Sequence, residues 1–207
     1  CALIKSYNKK FDKPSLLIQN VLIIFLLNSS LLGAKKMSQK LEKVLITGAT
    51  GYVADQMLAF MKEQYETVLV DTRELNRRGE PVEGVNIVDL IDPDRDKYSH
   101  LFEGVDAVIH LAYKRRSGDP LDHFNDEKQN VEMAYNVFRS SYDAGVQRVV
   151  MASSNHAADW YEHALIHSGD LDIVRPYDLP LSDNFYGWAK ATYEHMGFLF
   201  ASGGMGE

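Results

Sequence analysis

Tyr186 and Lys190 lie four residues apart in a helix-like segment, a spacing that puts both side chains on one face. Ser154 follows directly on an apolar run, Arg148-Val149-Val150-Met151-Ala152-Ser153. Together the three residue types suit proton transfer at a hydroxyl or carbonyl. A phenol has a reference pKa of about 10, so acting as a base near neutrality requires help of about three units, or about 4 kcal/mol. A neighbouring ammonium favours the phenolate and supplies part of that shift. The serine hydroxyl can donate a hydrogen bond to the substrate oxygen. A tyrosine and a lysine at this spacing are common by chance, so the elements that position them must decide whether the pattern has meaning.

The first such element is Val44-Leu45-Ile46-Thr47-Gly48-Ala49-Thr50-Gly51-Tyr52-Val53-Ala54, an apolar run that breaks into glycine and continues as Asp55-Gln56-Met57-Leu58-Ala59-Phe60-Met61. This reads as strand, tight turn and helix. Gly48 can take backbone angles closed to other residues, Gly51 lets a pyrophosphate approach the main chain, and Ala54 lets the helix sit close to the strand. The helix N-terminus would face the anion. Thr67-Val68-Leu69-Val70 makes a second strand ending in Asp71. A carboxylate about 20 residues beyond such a turn can accept both ribose hydroxyls of an adenosine and repels a 2′-phosphate, which favours NAD over NADP. Arg73, Arg77 and Arg78 could reverse that preference by pairing with the phosphate, although as loop charges they also suit solvent.

Further along, Val85-Asn86-Ile87-Val88-Asp89-Leu90 predicts a third strand, 94–102 a short helix, and Ala107-Val108-Ile109-His110-Leu111-Ala112 a fourth strand buried on both faces. A helix is expected over 125–144, with Val131, Ala134, Tyr135 and Phe138 on one face and Gly145 as its stop. The fifth strand is 148–153, periodicity is lost over 154–185, and helix returns from Tyr186 to about Ala201. Strand and helix alternate, so the fold class is α/β with a parallel sheet covered on both faces. The long loop, with Asn155, His156, Trp160, His163 and His167, is the kind that carries function. His163 and His167 lack the H-E-x-x-H order, so no metal site is expected.

Charge divides the chain. Residues 1–36 carry six lysines against Asp12 alone, a net of +5, which leaves −12 for residues 37–207 of the total −7. So acidic a body argues against nucleic acid as a partner, since that needs clustered Lys and Arg. The single cysteine, Cys1, excludes an internal disulfide. Lys5, Lys9, Lys10 and Lys13 precede an apolar run from Leu16 to Leu27 and a small-residue end at Ala34, the order of a secretory leader. That run is too short to span a bilayer, which takes about 20 residues. Residues 1–36 are therefore expected to be an extraneous or signal-like extension with no place in the fold, and 37–207 the nucleotide-binding domain. The body is expected to be cytoplasmic and off the membrane, and secreted or anchored only if 1–36 is a genuine leader.

Residues 43–207 resemble the extended short-chain dehydrogenase/reductase family, also called the NAD-dependent epimerase/dehydratase family. The resemblance rests on Gly48, Gly51 and Ala54; Asp71; Asp89-Leu90; His110-Leu111-Ala112; Asn130-Val131; Ser153-Ser154; and Tyr186-Gly187-Trp188-Ala189-Lys190, in that order. It implies a Rossmann-like doubly wound parallel sheet. It also implies an NAD site formed by Gly48, Thr50, Gly51, Tyr52, Val53, Asp71, Asp89, Leu90, Leu111, Ala112 and Asn130, with Tyr186 and Lys190 beside them. Ser154, Tyr186 and Lys190 would be catalytic. The cofactor performs the hydride chemistry and the protein orients it.

Ser153-Ser154-Asn155-His156 is most similar to the uronate dehydrogenase branch, in which Asn155 and His156 would contact substrate hydroxyls or a carboxylate. Two features depart from that branch: a longer loop between Ser154 and Tyr186, and Ala112-Tyr113-Lys114-Arg115 in place of the run of small residues after the fourth strand. The leading expectation is a nicotinamide-dependent oxidoreductase acting on a sugar or sugar acid, the alternatives being a nucleotide-sugar epimerase or dehydratase with retained NAD, and a non-catalytic NAD sensor. A homo-oligomer is compatible with any of the three. The glycine-rich end at 203–206 predicts C-terminal truncation before a further strand, and hence negligible turnover by this chain alone.

Overall fold

The computed structural model describes residues 22–26, 41–175 and 177–203. In chain order these form β1 (Leu22–Leu26), β2 (Lys43–Thr47), α1 (Tyr52–Gln64), β3 (Glu66–Asp71), β4 (Val85–Ile87), β5 (Ala107–His110), α2 (His123–Asp143), β6 (Arg148–Ala152), the one-turn α3 (Asp159–Tyr161) and α4 (Phe185–Ser202). The sheet order is β1-β6-β5-β2-β3-β4, with β2 through β6 all parallel. The chain leaves β2 for β3 on one side and later returns to β5 on the other. A crevice therefore opens between the C-terminal ends of β2 and β5, the place where open α/β sheets bind ligands.

Strand alternation divides the core in two. Val44 and Ile46 of β2 pack on the α1 side with Ala49, Met61 and Leu69. Leu45 points the other way, into the larger cluster that α2 and α4 build with Val137, Phe138, Val149, Tyr193 and Phe200. Phe138 and Phe200 stack with centroids 5.3 Å apart, which pins α4 against α2. The lysine and tyrosine near the start of α4 are thereby held over the ends of β5 and β6.

The α/β architecture, the parallel five-stranded core and both long helices match expectation. Several details do not. Leu22–Leu26 pairs antiparallel with β6, so these five residues of the extension occupy a strand position after all. The outer edge of β6 offers unpaired N–H and C=O groups that an extended segment can satisfy. The remainder of 1–36 lies outside the described residues, as do 204–207. The third strand stops at Ile87, three residues early, where Val88 N–H turns to Asp71 O at 2.9 Å. Residues 94–102 form two 3₁₀ turns, Arg95–Lys97 and Ser99–Phe102, because each must bend to bury Tyr98 and Phe102. Tyr135 lies 43% exposed, away from the buried face that holds Ala134 and Phe138. The stretch after Ser154 is partly helical, with a 3₁₀ turn at Asn155–Ala158, α3, and a π turn at Glu162–Ile166.

His110 ends β5 fully inside the protein, 2% exposed. Thr47 Oγ1 accepts from the N–H groups of Leu111 and Ala112, so its own proton goes to His110 Nδ1, 2.6 Å away. Nε2 then carries the ring proton and has no partner among the described residues. Burial, with the Lys190 charge adding, pushes the imidazole down to about 3. The unfolded chain, titrating near 6.5, binds a proton that the fold refuses. Stability should therefore fall as pH drops from about 6.5 toward about 3, by an amount on the order of a few kcal/mol. Urea unfolding at several pH values, compared between wild type and the non-titrating His110→Gln variant, should show a shallower acid slope in the variant. Parallel slopes would overturn this account.

Candidate active site

The turn after β2 is shaped by its contact with the end of β5. Gly48 has φ 68°, and a Cβ there would come within 2.6 Å of Ala112 N, so only glycine lets the two strand ends meet. Gly51 N–H closes the turn on Gly48 O at 2.9 Å, and Asp55 N–H then makes the first helical bond to Gly51 O. The N–H groups of the first turn of α1 precede any carbonyl they could reach and point into the crevice end of the sheet.

A groove of about 780 Å³ starts at this turn and runs along the strand ends to Lys190. Gly48, Gly51, Tyr52, Val53, Asp71, Asp89, Leu90, Leu111, Ala112, Tyr186 and Lys190 all line it. Thr50 and Asn130 stand behind the wall, both 0% exposed. Thr50 donates from N–H and Oγ1 to Asp71 Oδ2 at 2.9 and 2.8 Å, which fixes the carboxylate. Asn130 brackets Lys114, accepting from its N–H at 2.8 Å and donating to its carbonyl at 2.9 Å, which holds the loop after β5. The three arginines separate. Arg78 is spent on a two-pronged pair with Asp55, both bonds 2.9 Å, and on Glu80. Arg73 and Arg77 line the groove beside Asp71, Arg77 lying 5.6 Å over the Tyr52 ring.

A second cavity, of about 480 Å³, adjoins the far end of the groove, and Tyr113 and Tyr186 line both. Ser154, Asn155 and His156 form one wall. Ser154 is 4% exposed; its Oγ accepts the His156 N–H at 3.3 Å and so caps the 3₁₀ turn. His156 Nδ1 is bonded to Asp159 Oδ2, and Asn184 Nδ2 donates to the same oxygen at 3.2 Å. Asn184 also caps α4, its Oδ1 accepting from Gly187 N–H at 2.9 Å. One buried carboxylate thus ties the imidazole to the helix that carries Tyr186 and Lys190.

Lys190 is 5% exposed, and its Nζ donates to Ala152 O at 2.9 Å. The ammonium sits 5.5 Å from the ring centroids of both Tyr113 and Tyr186 and 4.7 Å from that of Tyr193. Burial lowers its pKa to about 8, against the opposing charge of Glu127. Glu127 is 0% exposed; it accepts from Tyr113 Oη at 2.6 Å and from Asn130 Nδ2 at 3.2 Å. Burial, and then that bond, push the Tyr113 phenol well up, so it stays a hydrogen-bond donor. Proton transfer at a bound hydroxyl is what this arrangement can perform: a phenol, an ammonium and a serine converge where two cavities join.

Sequence reading missed Tyr113, Arg116, Glu127, Asp159 and Asn184 as parts of the site. The departure at Tyr113-Lys114-Arg115 was the available signal, since bulky residues in place of small ones must fill or line something. Among the described residues no cluster of three or more His, Cys, Asp or Glu could hold a metal ion, and no helix is long and apolar enough to cross a membrane.

Fold and site together define a nucleotide-binding α/β domain whose groove ends at a tyrosine and a lysine of one helix. The pattern of the NAD dependent epimerase/dehydratase family matches residues 44–201, and the chain belongs to that family, whose members are enzymes. It is 31% identical over 166 residues to an NAD-dependent glucose-6-phosphate dehydrogenase of Haloferax volcanii, covering 75% of this chain and 62% of that protein. To an L-arabinose 1-dehydrogenase (NAD(P)(+)) of the same organism it is 28% identical over 164 residues, 77% of this chain and 61% of the relative. A solved mutated uronate dehydrogenase superposes with a TM-score of 0.62 at 28% identity, covering 78% of this chain and 54% of that one. The chain thus spans less than two thirds of the length of these curated relatives.

Proposed function

We propose that the protein is an NAD-dependent oxidoreductase that oxidises a hydroxyl of a sugar or sugar acid. The observation that carries this reading is the position of Tyr186, on the boundary between the groove and the cavity. The groove fits a dinucleotide: helix N–H groups for the pyrophosphate at one end, Asp71 for the adenosine ribose beside it, and Lys190 at the other. When bound, NAD supplies the hydride acceptor. Tyr186 Oη takes the proton of the sugar hydroxyl, Ser154 Oγ donates a hydrogen bond to the same oxygen, and the Lys190 charge favours the phenolate. Asn155 and His156 contact further hydroxyls. Sugar dehydrogenases among the relatives support this class of substrate over nucleotide sugars.

The test is NADH formation by the whole protein with glucuronate, galacturonate, glucose 6-phosphate and arabinose. Release of NAD during purification is expected. NAD that stays bound, with no turnover of any of these sugars, would move the function to nucleotide-sugar epimerisation or dehydration.

Cofactor choice follows from the Asp71 end. NAD should bind more tightly than NADP, because the fixed carboxylate accepts from the ribose and repels a 2′-phosphate. Asp71→Ala should narrow the gap by about ten-fold or more, since Arg73 and Arg77 then face the phosphate unopposed. Titration of both cofactors against both proteins checks this. Equal or tighter NADP binding by the unaltered protein would mean that the two arginines already dominate.

A further inference from the structure

The substrate-side cavity contains a cation whose charge the oxidation reaction does not use. Arg116 lines it, with its guanidinium carbon 5.3 Å from the Tyr186 ring centroid and its side chain 40% exposed. Its Nε stands 3.6 Å from Glu127 Oε1, a distance for an ion pair but not for a hydrogen bond. Glu127 does not depend on it, because Tyr113 and Asn130 already donate to that carboxylate. Among the described residues the two terminal nitrogens of Arg116 make no hydrogen bond, so a fork of donors is left facing the cavity. Among the described residues the only carboxylate on the cavity wall, Asp159, is buried and committed to His156 and Asn184. The free polarity of the cavity is therefore positive.

Resting on the oxidoreductase reading above, we propose that Arg116 determines specificity by recognising an anionic substituent of the sugar, a carboxylate or a phosphate. A planar guanidinium matches either group through two parallel hydrogen bonds, a geometry a neutral sugar cannot exploit. Stacking over Tyr186 fixes the guanidinium relative to the acid/base hydroxyl. The anion bound there in turn sets which hydroxyl of the sugar reaches Tyr186.

The experiment measures calorimetric binding of glucuronate, glucose 6-phosphate and glucose to the NAD-loaded whole protein, for wild type, Arg116→Gln and Arg116→Lys. In wild type one of the two anions should bind about ten-fold or more tightly than glucose. Which anion it is separates the carboxylate from the phosphate. Arg116→Gln should lose that advantage while its affinity for glucose and its thermal midpoint stay unchanged; Arg116→Lys, keeping the charge without the fork, should recover part of it. Glucose binding as tightly as both anions, or equal losses for all three sugars in Arg116→Gln, would overturn the proposal. Anion preference without NADH formation would leave this proposal standing and remove the oxidoreductase reading. NADH formation without anion preference would do the reverse.

Discussion

Tyr186→Phe should lower the turnover of the whole protein by about 100-fold or more while leaving NAD affinity nearly unchanged. The substitution removes one oxygen from a ring whose packing does not depend on it. That ring meets Tyr113 edge-on at 5.5 Å, His156 at 5.4 Å and the Arg116 guanidinium at 5.3 Å, all contacts of the face or edge. Its hydroxyl makes no hydrogen bond to another described residue, so phenylalanine strands no buried partner. Stability should hold, and the loss should appear in the proton-transfer step. Single-turnover NADH formation, measured beside an NAD titration and a thermal melt, separates these quantities. A variant with full activity would remove Tyr186 as the acid/base group, and one that melts early would show the hydroxyl to be structural.

How much of this site can be read in the sequence depends on how far apart its partners lie. The glycine turn, Asp71, and the Tyr186–Lys190 spacing are local signals, each set by the geometry of a single strand–turn–helix unit or one helical face. Contacts made by tertiary packing leave no such signal. Glu127 belongs to the first turns of α2 and Tyr113 to the loop after β5, and their 2.6 Å bond exists only because α2 packs across that loop. Thr50 and Asn130 illustrate the converse: their positions in the chain predicted groove residues, whereas their short polar side chains are used to hold Asp71 and Lys114 from behind. The 94–102 segment has helical composition, but burying Tyr98 and Phe102 on the α2 side tightens it into 3₁₀ turns. The strand at Leu22–Leu26 was hidden for a further reason. Its partner is an edge of the sheet, which accepts an extended segment by backbone hydrogen bonds and requires no particular sequence.

Lys190→Met should abolish turnover to a similar degree, about 100-fold or more, and weaken NAD about ten-fold, yet leave the protein more stable at neutral pH. Methionine keeps the length of the stem and deletes the charge. The ammonium is buried among three tyrosine rings and, among the described residues, makes a single hydrogen bond, to Ala152 O. Burial holds its pKa near 8 instead of 10.5, which means that the fold disfavours the charged form. Below about pH 8 both folded and unfolded chains carry the proton, and the fold bears the whole cost, on the order of 3 kcal/mol. Between about 8 and about 10.5 the unfolded chain binds the proton and the native protein does not, so wild-type stability should rise with pH across that window. In Lys190→Met that contribution should be absent, because position 190 no longer titrates. Loss of the charge should also shift the turnover profile to more alkaline pH, since the Tyr186 phenolate loses one of the two cations beside its ring. Urea unfolding at neutral and alkaline pH, paired with the pH dependence of NADH formation, measures both. A lysine retained for packing would lower stability when replaced and leave the turnover profile where it was, and that pair of results would count against the role assigned to Lys190.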